Sequence, residues 1–158
     1  MKKVILPIAA IAAIAASGSV NAGSRISNDL SRCSAGKGPA VLISVRGVKS
    51  SSGKMRAQSY RATRADWLKK GRWLNRIERR ASRGSMTFCM PVPRAGNYGI
   101  AIRHDTNNNG KTDIRKDGGG MSRNPSINIF NLGKPSVKKV SFYAGSKITR
   151  ITINMKYM

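Results

Sequence analysis

The segment with the densest chemistry is Asp105-Thr106-Asn107-Asn108-Asn109-Gly110-Lys111-Thr112-Asp113. Its form, D-x-N-x-N-G-x-x-D, sets side-chain oxygens at alternate positions of a tight loop. Hard cations such as calcium take closely packed oxygen ligands. Asp105, Asn107 and Asn109 would turn their oxygens inward, Gly110 permits the sharp turn, Lys111 offers its backbone carbonyl, and Asp113 serves as ligand or through water. The loop departs from an EF-hand at Lys116, which stands where a bidentate Glu would be, and no flanking helices are expected. Only Asp105 and Asp113, with Asp117 nearby, bring charge, so calcium would bind in the weak extracellular range of roughly 0.1–1 mM. The competing reading is a plain turn. Asn and Asp side chains bond their own backbone, and Asn109-Gly110 is a tight-turn pair. On the residues alone both readings stay open.

Little else could do covalent chemistry. The single histidine, His104, sits beside Asp105; it could orient that carboxylate or accept a proton, but its commoner role is a structural hydrogen bond. No G-x-S-x-G elbow is present. The six acidic residues are scattered and form no carboxylate pair. These features predict a non-enzymatic protein with no cofactor other than weakly bound calcium. The two cysteines, Cys33 and Cys89, suggest a disulfide if the chain leaves the cytosol.

The first residues address that condition. Lys2 and Lys3 precede an apolar run over residues 4–16, and Val20-Asn21-Ala22 fits the small-x-Ala rule for signal peptidase. A membrane span needs roughly 20 apolar residues, and this run is shorter and contains Pro7. Residues 1–22 are therefore expected to be a signal peptide, and the protein periplasmic or secreted. Export also changes the meaning of the charge. The chain has 30 Lys and Arg against 6 Asp and Glu. Such an excess repels itself and attracts anions. For an exported protein the expected partners are lipopolysaccharide, acidic polysaccharide or an anionic membrane surface, with nucleic acid unfavoured. A second reading is a structural module that uses its sheet edges for a protein partner of unspecified kind, with no metal and no dedicated anion.

The elements that must position these groups follow from periodicity. Residues 23–37 read as an irregular arm tied down by Cys33, followed by a single domain over residues 38–158. Val41, Ile43 and Val45 alternate with Leu42, Ser44 and Arg46, which predicts a strand. Lys54 to Ala62 reads as its hairpin partner, with Met55, Ala57 and Ser59 on one face. Met86, Phe88 and Met90 share a face opposite Cys89. Tyr98, Ile100 and Ile102 are in phase. Residues 136–143 and 147–157 flank Ala144-Gly145-Ser146, a hairpin signal. Residues 65–81 change period: Trp67, Leu68, Gly71, Leu74, Ile77 and Ala81 fall near one helical face, with Gly71 weakening its middle. Arg72, Arg76, Arg79 and Arg83 make a cationic face, widened by Lys69, Lys70 and Arg80, and this face is the expected contact for an anionic partner. The fold expected is mainly β: an antiparallel β-sandwich of about six or seven strands with one short amphipathic helix inserted in a connection.

The run from Gly96 through Tyr98 to His104-Asp105, continued by Asn107, Asn109-Gly110 and Asp113, resembles the central motif of an uncharacterised bacterial family, domain of unknown function 2141. Pro93, Gly96, Tyr98, His104 and Asp105 fall in register with that motif. Residues 118–125, GGGMSRNP, resemble the family's downstream G-x-G-F-S-N segment, with Met121 in place of the aromatic residue. The resemblance extends from about Gly38 onward and implies an exported β-sandwich. It implies no activity, because none is assigned to the family.

Overall fold

The structure is a computed structural model that describes residues 23–131 and 133–158. The expected leader, residues 1–22, lies outside them. Among the described residues ten strands form two facing sheets: β1 (Ser24–Arg25), β2 (Ala40–Val48), β3 (Lys54–Arg61), β4 (Asn75–Arg80), β5 (Gly84–Pro91), β6 (Gly96–Asp105), β7 (Gly118–Met121), β8 (Phe142–Ala144), β9 (Ile148–Asn154) and β10 (Lys156–Tyr157). One sheet has the order β1-β4-β3-β6-β7-β10, with β8 paired to the first residues of β6; the other has the order β5-β2-β9. The arrangement is sandwich-like, as expected, but both sheets are mixed rather than purely antiparallel, because β1 runs parallel to β4 and β9 parallel to β2.

Alternation places the core. Val41, Ile43 and Val45 of β2 are completely buried, as are Met55 and Ala57 of β3, Ile77 of β4, Phe88 and Met90 of β5, and Ile100 of β6; they form one apolar cluster between the sheets. Burying a side chain of Val, Ile, Met or Phe size contributes about 1.5–3 kcal/mol. Cys89 points away from this cluster and bonds Cys33, with the two Cα atoms 5.7 Å apart. The bond closes a loop of sequence separation 56, for which chain entropy predicts about 4 kcal/mol of stabilisation.

Three expectations about connections fail for physical reasons. First, β2 and β3 are not a hairpin. A bulge at Gly47, φ 75°, bends β2 out of its sheet, and the chain crosses to the opposite one. Gly53 then passes so close to β6 that a Cβ would lie 1.9 Å from the Asp105 carbonyl. Second, β8 and β9 are not a hairpin either, since Gly145 and its neighbours carry the chain from one sheet to the other. Third, residues 65–81 form no helix. Thr63 accepts the Asp66 amide, but Leu68 and Gly71 take positive φ values of 54° and 74°, which end the turn. Asn75–Arg80 then extends as β4, whose single apolar residue, Ile77, needs only strand alternation to reach the core. Among the described residues the one α-helix is the single turn Val137–Val140.

Two asparagines finish the three-stranded sheet. Asn28 donates to the Thr87 carbonyl and accepts from the Cys89 amide at the edge of β5. Asn124 donates to the Thr152 carbonyl and accepts from the Asn154 amide at the edge of β9. Each side-chain amide imitates a strand and occupies backbone groups that would otherwise invite edge pairing.

Candidate functional site

β6 presents its residues alternately to the core and to the outer face of the seven-stranded sheet. His104 points inward and is completely buried. The Lys49 amide donates to the Tyr157 hydroxyl at 3.0 Å, and the same hydroxyl is hydrogen-bonded to His104 Nδ1 at 2.8 Å. His104 Nε2–H then donates to the Ser52 carbonyl at 2.8 Å. The imidazole is a clamp joining β6, β10 and the 49–53 crossover. It does not contact the Asp105 carboxylate, which lies on the opposite face.

Asp105 starts the Asn-rich loop, and its carboxylate is buried. It accepts the amides of Asn109 and Gly110 at 3.1 and 2.9 Å and pairs with Arg103 Nη2 at 3.3 Å. Asp113 accepts the side-chain amides of Asn107 and Asn109, both at 2.9 Å. These bonds hold its carboxyl below the ordinary aspartate value, with Lys116 and Lys111 adding to the effect. Asp117 accepts the Thr106 and Asp113 amides. Arg103 also donates to the Gly110 carbonyl and the Thr112 hydroxyl. The structure thus brings Asp105, Asn107, Asn109, Lys111 and Asp113 into one loop, stitched by N–H donors. As a cation site the fit is partial. The oxygens are hard and close, but the guanidinium beside Asp105 repels a divalent ion. Among the described residues no three His, Cys, Asp or Glu side chains gather as a metal-holding group.

The expected cationic helix face does not exist, so its residues disperse. Lys69, Lys70 and Arg72 lie in the 62–74 connection, where Arg72 approaches Asp66 at 3.6 Å. Arg79, Arg80 and Arg83 are exposed at the end of β4 and beyond it. Arg76 turns to the outer face of the sheet and stacks over Trp73, 4.4 Å from the ring centroid. Trp67 is buried, with its indole N–H donating to the Pro135 carbonyl.

What replaces that face is a cluster across three strands. In register, Arg56 of β3 stands between Glu78 of β4 and Arg103 of β6, and Lys54 stands between Arg80 and Asp105. Arg56 Nε pairs with Glu78 at 2.7 Å, and Arg76 approaches the same carboxylate at 3.9 Å. Burial pushes the Glu78 carboxyl up, but Arg56, Arg25 and Arg76 pull it further down, so it ends below its ordinary value. Burial, with Arg56 beside it, lowers the Arg103 guanidinium. The Nε atoms of Arg76 and Arg103 are buried without a hydrogen-bond partner. Beside Lys54, Arg56 and Arg103 lies a polar cavity of about 220 Å³, and beyond Arg56 and Arg103 a larger groove of about 520 Å³ crosses the sheet.

The downstream motif lines and braces this region. A Cβ on Gly118 would lie 2.4 Å from the Tyr157 ring, and one on Gly120 would lie 2.7 Å from Ile153 Cγ2. Ser122 is buried; its hydroxyl accepts the Ile100 amide and donates to the Val140 carbonyl. Residues 43–152, which contain this motif and the Asn-rich loop, match the model of a family described as an uncharacterized protein conserved in bacteria (DUF2141). The chain belongs to this family. No curated protein and no solved structure matches it. In this DUF2141 chain, therefore, the motif's glycines, serine and asparagine have roles read from the geometry alone. Gly118 and Gly120 set close approaches, Ser122 joins β6 to the Val140 carbonyl, and Asn124 closes a strand end.

Lys54, Arg56, Arg103 and Gly119 were not legible as a group in the sequence. The signal that could have found them is strand phase: Arg56 and Arg103 occupy the polar positions of two alternating strands. Only the pairing of β3 with β6 makes them neighbours.

Proposed function

We propose that this protein is an exported, non-enzymatic binding module whose basic surface contacts an anionic component of the cell envelope: lipopolysaccharide, acidic polysaccharide or an anionic membrane face. The observation that carries the reading is unmatched charge. Residues 23–158 contain 28 Lys and Arg, the two others being Lys2 and Lys3, against 6 Asp and Glu. Among the described residues only Arg56, Arg72, Arg76 and Arg103 lie within ion-pair distance of a carboxylate. The remaining cations are free to meet an external anion, and their mutual repulsion falls when they do. A Cys33–Cys89 disulfide suits an oxidising compartment. The alternative, a protein partner adding a strand, is disfavoured at the three-stranded sheet because Asn28 and Asn124 plug both of its edges.

The proposal includes a weak calcium site in the 105–113 loop, where Asp105, Asn107, Asn109, Asp113 and the Lys111 carbonyl would supply the oxygens once the two Asn amides turn. Co-sedimentation with vesicles containing lipopolysaccharide or anionic phospholipid, over a salt series, tests the partner. Binding should be strong at low salt and fall steeply as salt rises; no binding at low salt removes the reading. A calcium-dependent rise in melting midpoint that Asp105→Ala abolishes supports the loop site, and an unchanged midpoint removes it.

A further inference from the structure

The outer face of the seven-stranded sheet has two adjoining compartments of different polarity. The polar cavity is bordered by Lys54, Arg56 and Arg103. The groove has Ala101, Gly119 and Met121 on its floor and Leu68, Ile114 and Ile127 on its walls. Arg56 and Arg103 border both. The groove's volume of about 520 Å³ falls in the range of small-molecule sites, roughly 300–1,000 Å³, which are mostly apolar with a few placed polar groups. Lys134 and Lys156 add positive charge at its rim. The carboxylates of the two compartments, Glu78, Asp105 and Asp117, are already engaged by guanidinium or N–H donors.

Gly119 is the sharpest observation. Its neighbours Gly118 and Gly120 must be glycine because a Cβ would strike Tyr157 or Ile153. At Gly119 a Cβ would meet nothing nearer than Ile127 Cδ1, at 4.0 Å. Neither packing nor a left-handed backbone requires glycine there, and strands disfavour it. Its effect is to leave the groove floor open.

We infer that this face is a two-part site for a single-chain anionic amphiphile, with the anionic head held between Lys54, Arg56 and Arg103 and the apolar chain lying in the groove over Gly119. The site rests on the anionic-partner reading and narrows it: one ligand chemistry, at one place, in one-to-one ratio. A phosphate or carboxylate head matches a guanidinium pair, for which planar N–H donors are suited. The chain contributes through apolar burial, so affinity must depend on its length.

The test is calorimetric titration with hexyl, octyl and decyl phosphate, each kept below its micelle concentration, and with inorganic phosphate. The protein is produced from the full 158-residue chain. Polygalacturonate, a polyanion without an apolar chain, serves as the control for general surface charge. Expected is one-to-one binding that strengthens about two- to fourfold per methylene. Gly119→Leu, folded by its melting curve, should abolish amphiphile binding and leave polygalacturonate binding intact. Lys54→Gln should weaken decyl phosphate about two- to fivefold, the size of one partly exposed charge contact. If decyl phosphate binds no better than inorganic phosphate, or binds folded Gly119→Leu as well as the parent, the groove site is wrong while the surface reading stands. If polygalacturonate also fails to bind at low salt, both are wrong. Should Gly119→Leu not fold, the chain-length series and Lys54→Gln decide by the same criteria.

Discussion

The two faces of the seven-stranded sheet are built to different rules, and β6 shows both. Its inward residues, Tyr98, Ile100, Ile102 and His104, are buried and matched. The one polar group among them that needs two partners, the His104 ring, has both. Its outward residues Ala101, Arg103 and Asp105 meet two cavities, an array of like charges and an arginine Nε with no partner. Folding explains these inner-face residues, and on the outer face it explains Gly99, where a Cβ would lie 2.7 Å from the Trp67 ring. It does not explain an open glycine and a cluster of arginines on the outer one. Residues that packing does not require are where a binding role is to be sought.

The neighbours His104 and Arg103 break or confirm this contrast with the largest effect. His104→Ala removes a buried ring and leaves the Ser52 carbonyl without its donor, so it should cost about 3–4 kcal/mol in denaturant unfolding. Arg103→Gln, at a partly exposed position, should cost about 1 kcal/mol. Similar costs for the two would erase the distinction. A finer comparison lies within the triple glycine. Gly118→Ala should lose about 1–3 kcal/mol by overpacking against Tyr157, whereas Gly119→Ala should stay within about 0.5 kcal/mol of the parent. The smallest effect is electrostatic. The Glu78 carboxyl is held below its ordinary value, so its ion pairs stabilise the fold at pH values above the unfolded-state pKa and are lost as pH falls through the folded-state value. The stability advantage of the parent over Glu78→Gln, below about 1 kcal/mol because the pair is partly exposed, should therefore be present near pH 6 and vanish toward pH 3. An advantage that grows on acidification would contradict the assignment.

The inner face was legible in the sequence because strand alternation is local. Val41/Ile43/Val45, Met86/Phe88/Met90 and Tyr98/Ile100/Ile102 all lie as their spacing predicts, and Cys33 meets Cys89. Sheet membership was not legible. Gly145 reads as a hairpin residue, yet it lies where the chain crosses between sheets, as does the bulge at Gly47, and local turn chemistry does not say which strand waits on the far side. Residues 65–81 failed for a related reason. Six residues of β4 carry a single core side chain, so helical and extended spacing fit equally, and the positive φ of Leu68 has no sequence signature. The loop at residues 105–113 was visible as a unit, but the Arg103 guanidinium that braces it belongs to the preceding strand.

A ligand-facing surface on the outer face of the seven-stranded sheet must respond where the ligand sits. The most direct measurement is an amide chemical-shift map during titration with decyl phosphate below its micelle concentration. Saturable shifts are expected at Lys54, Arg56, Arg103, Gly119 and Lys156, with the three-stranded sheet unmoved. Shifts spread evenly over the basic surface, or centred on β2, β5 and β9, would contradict it.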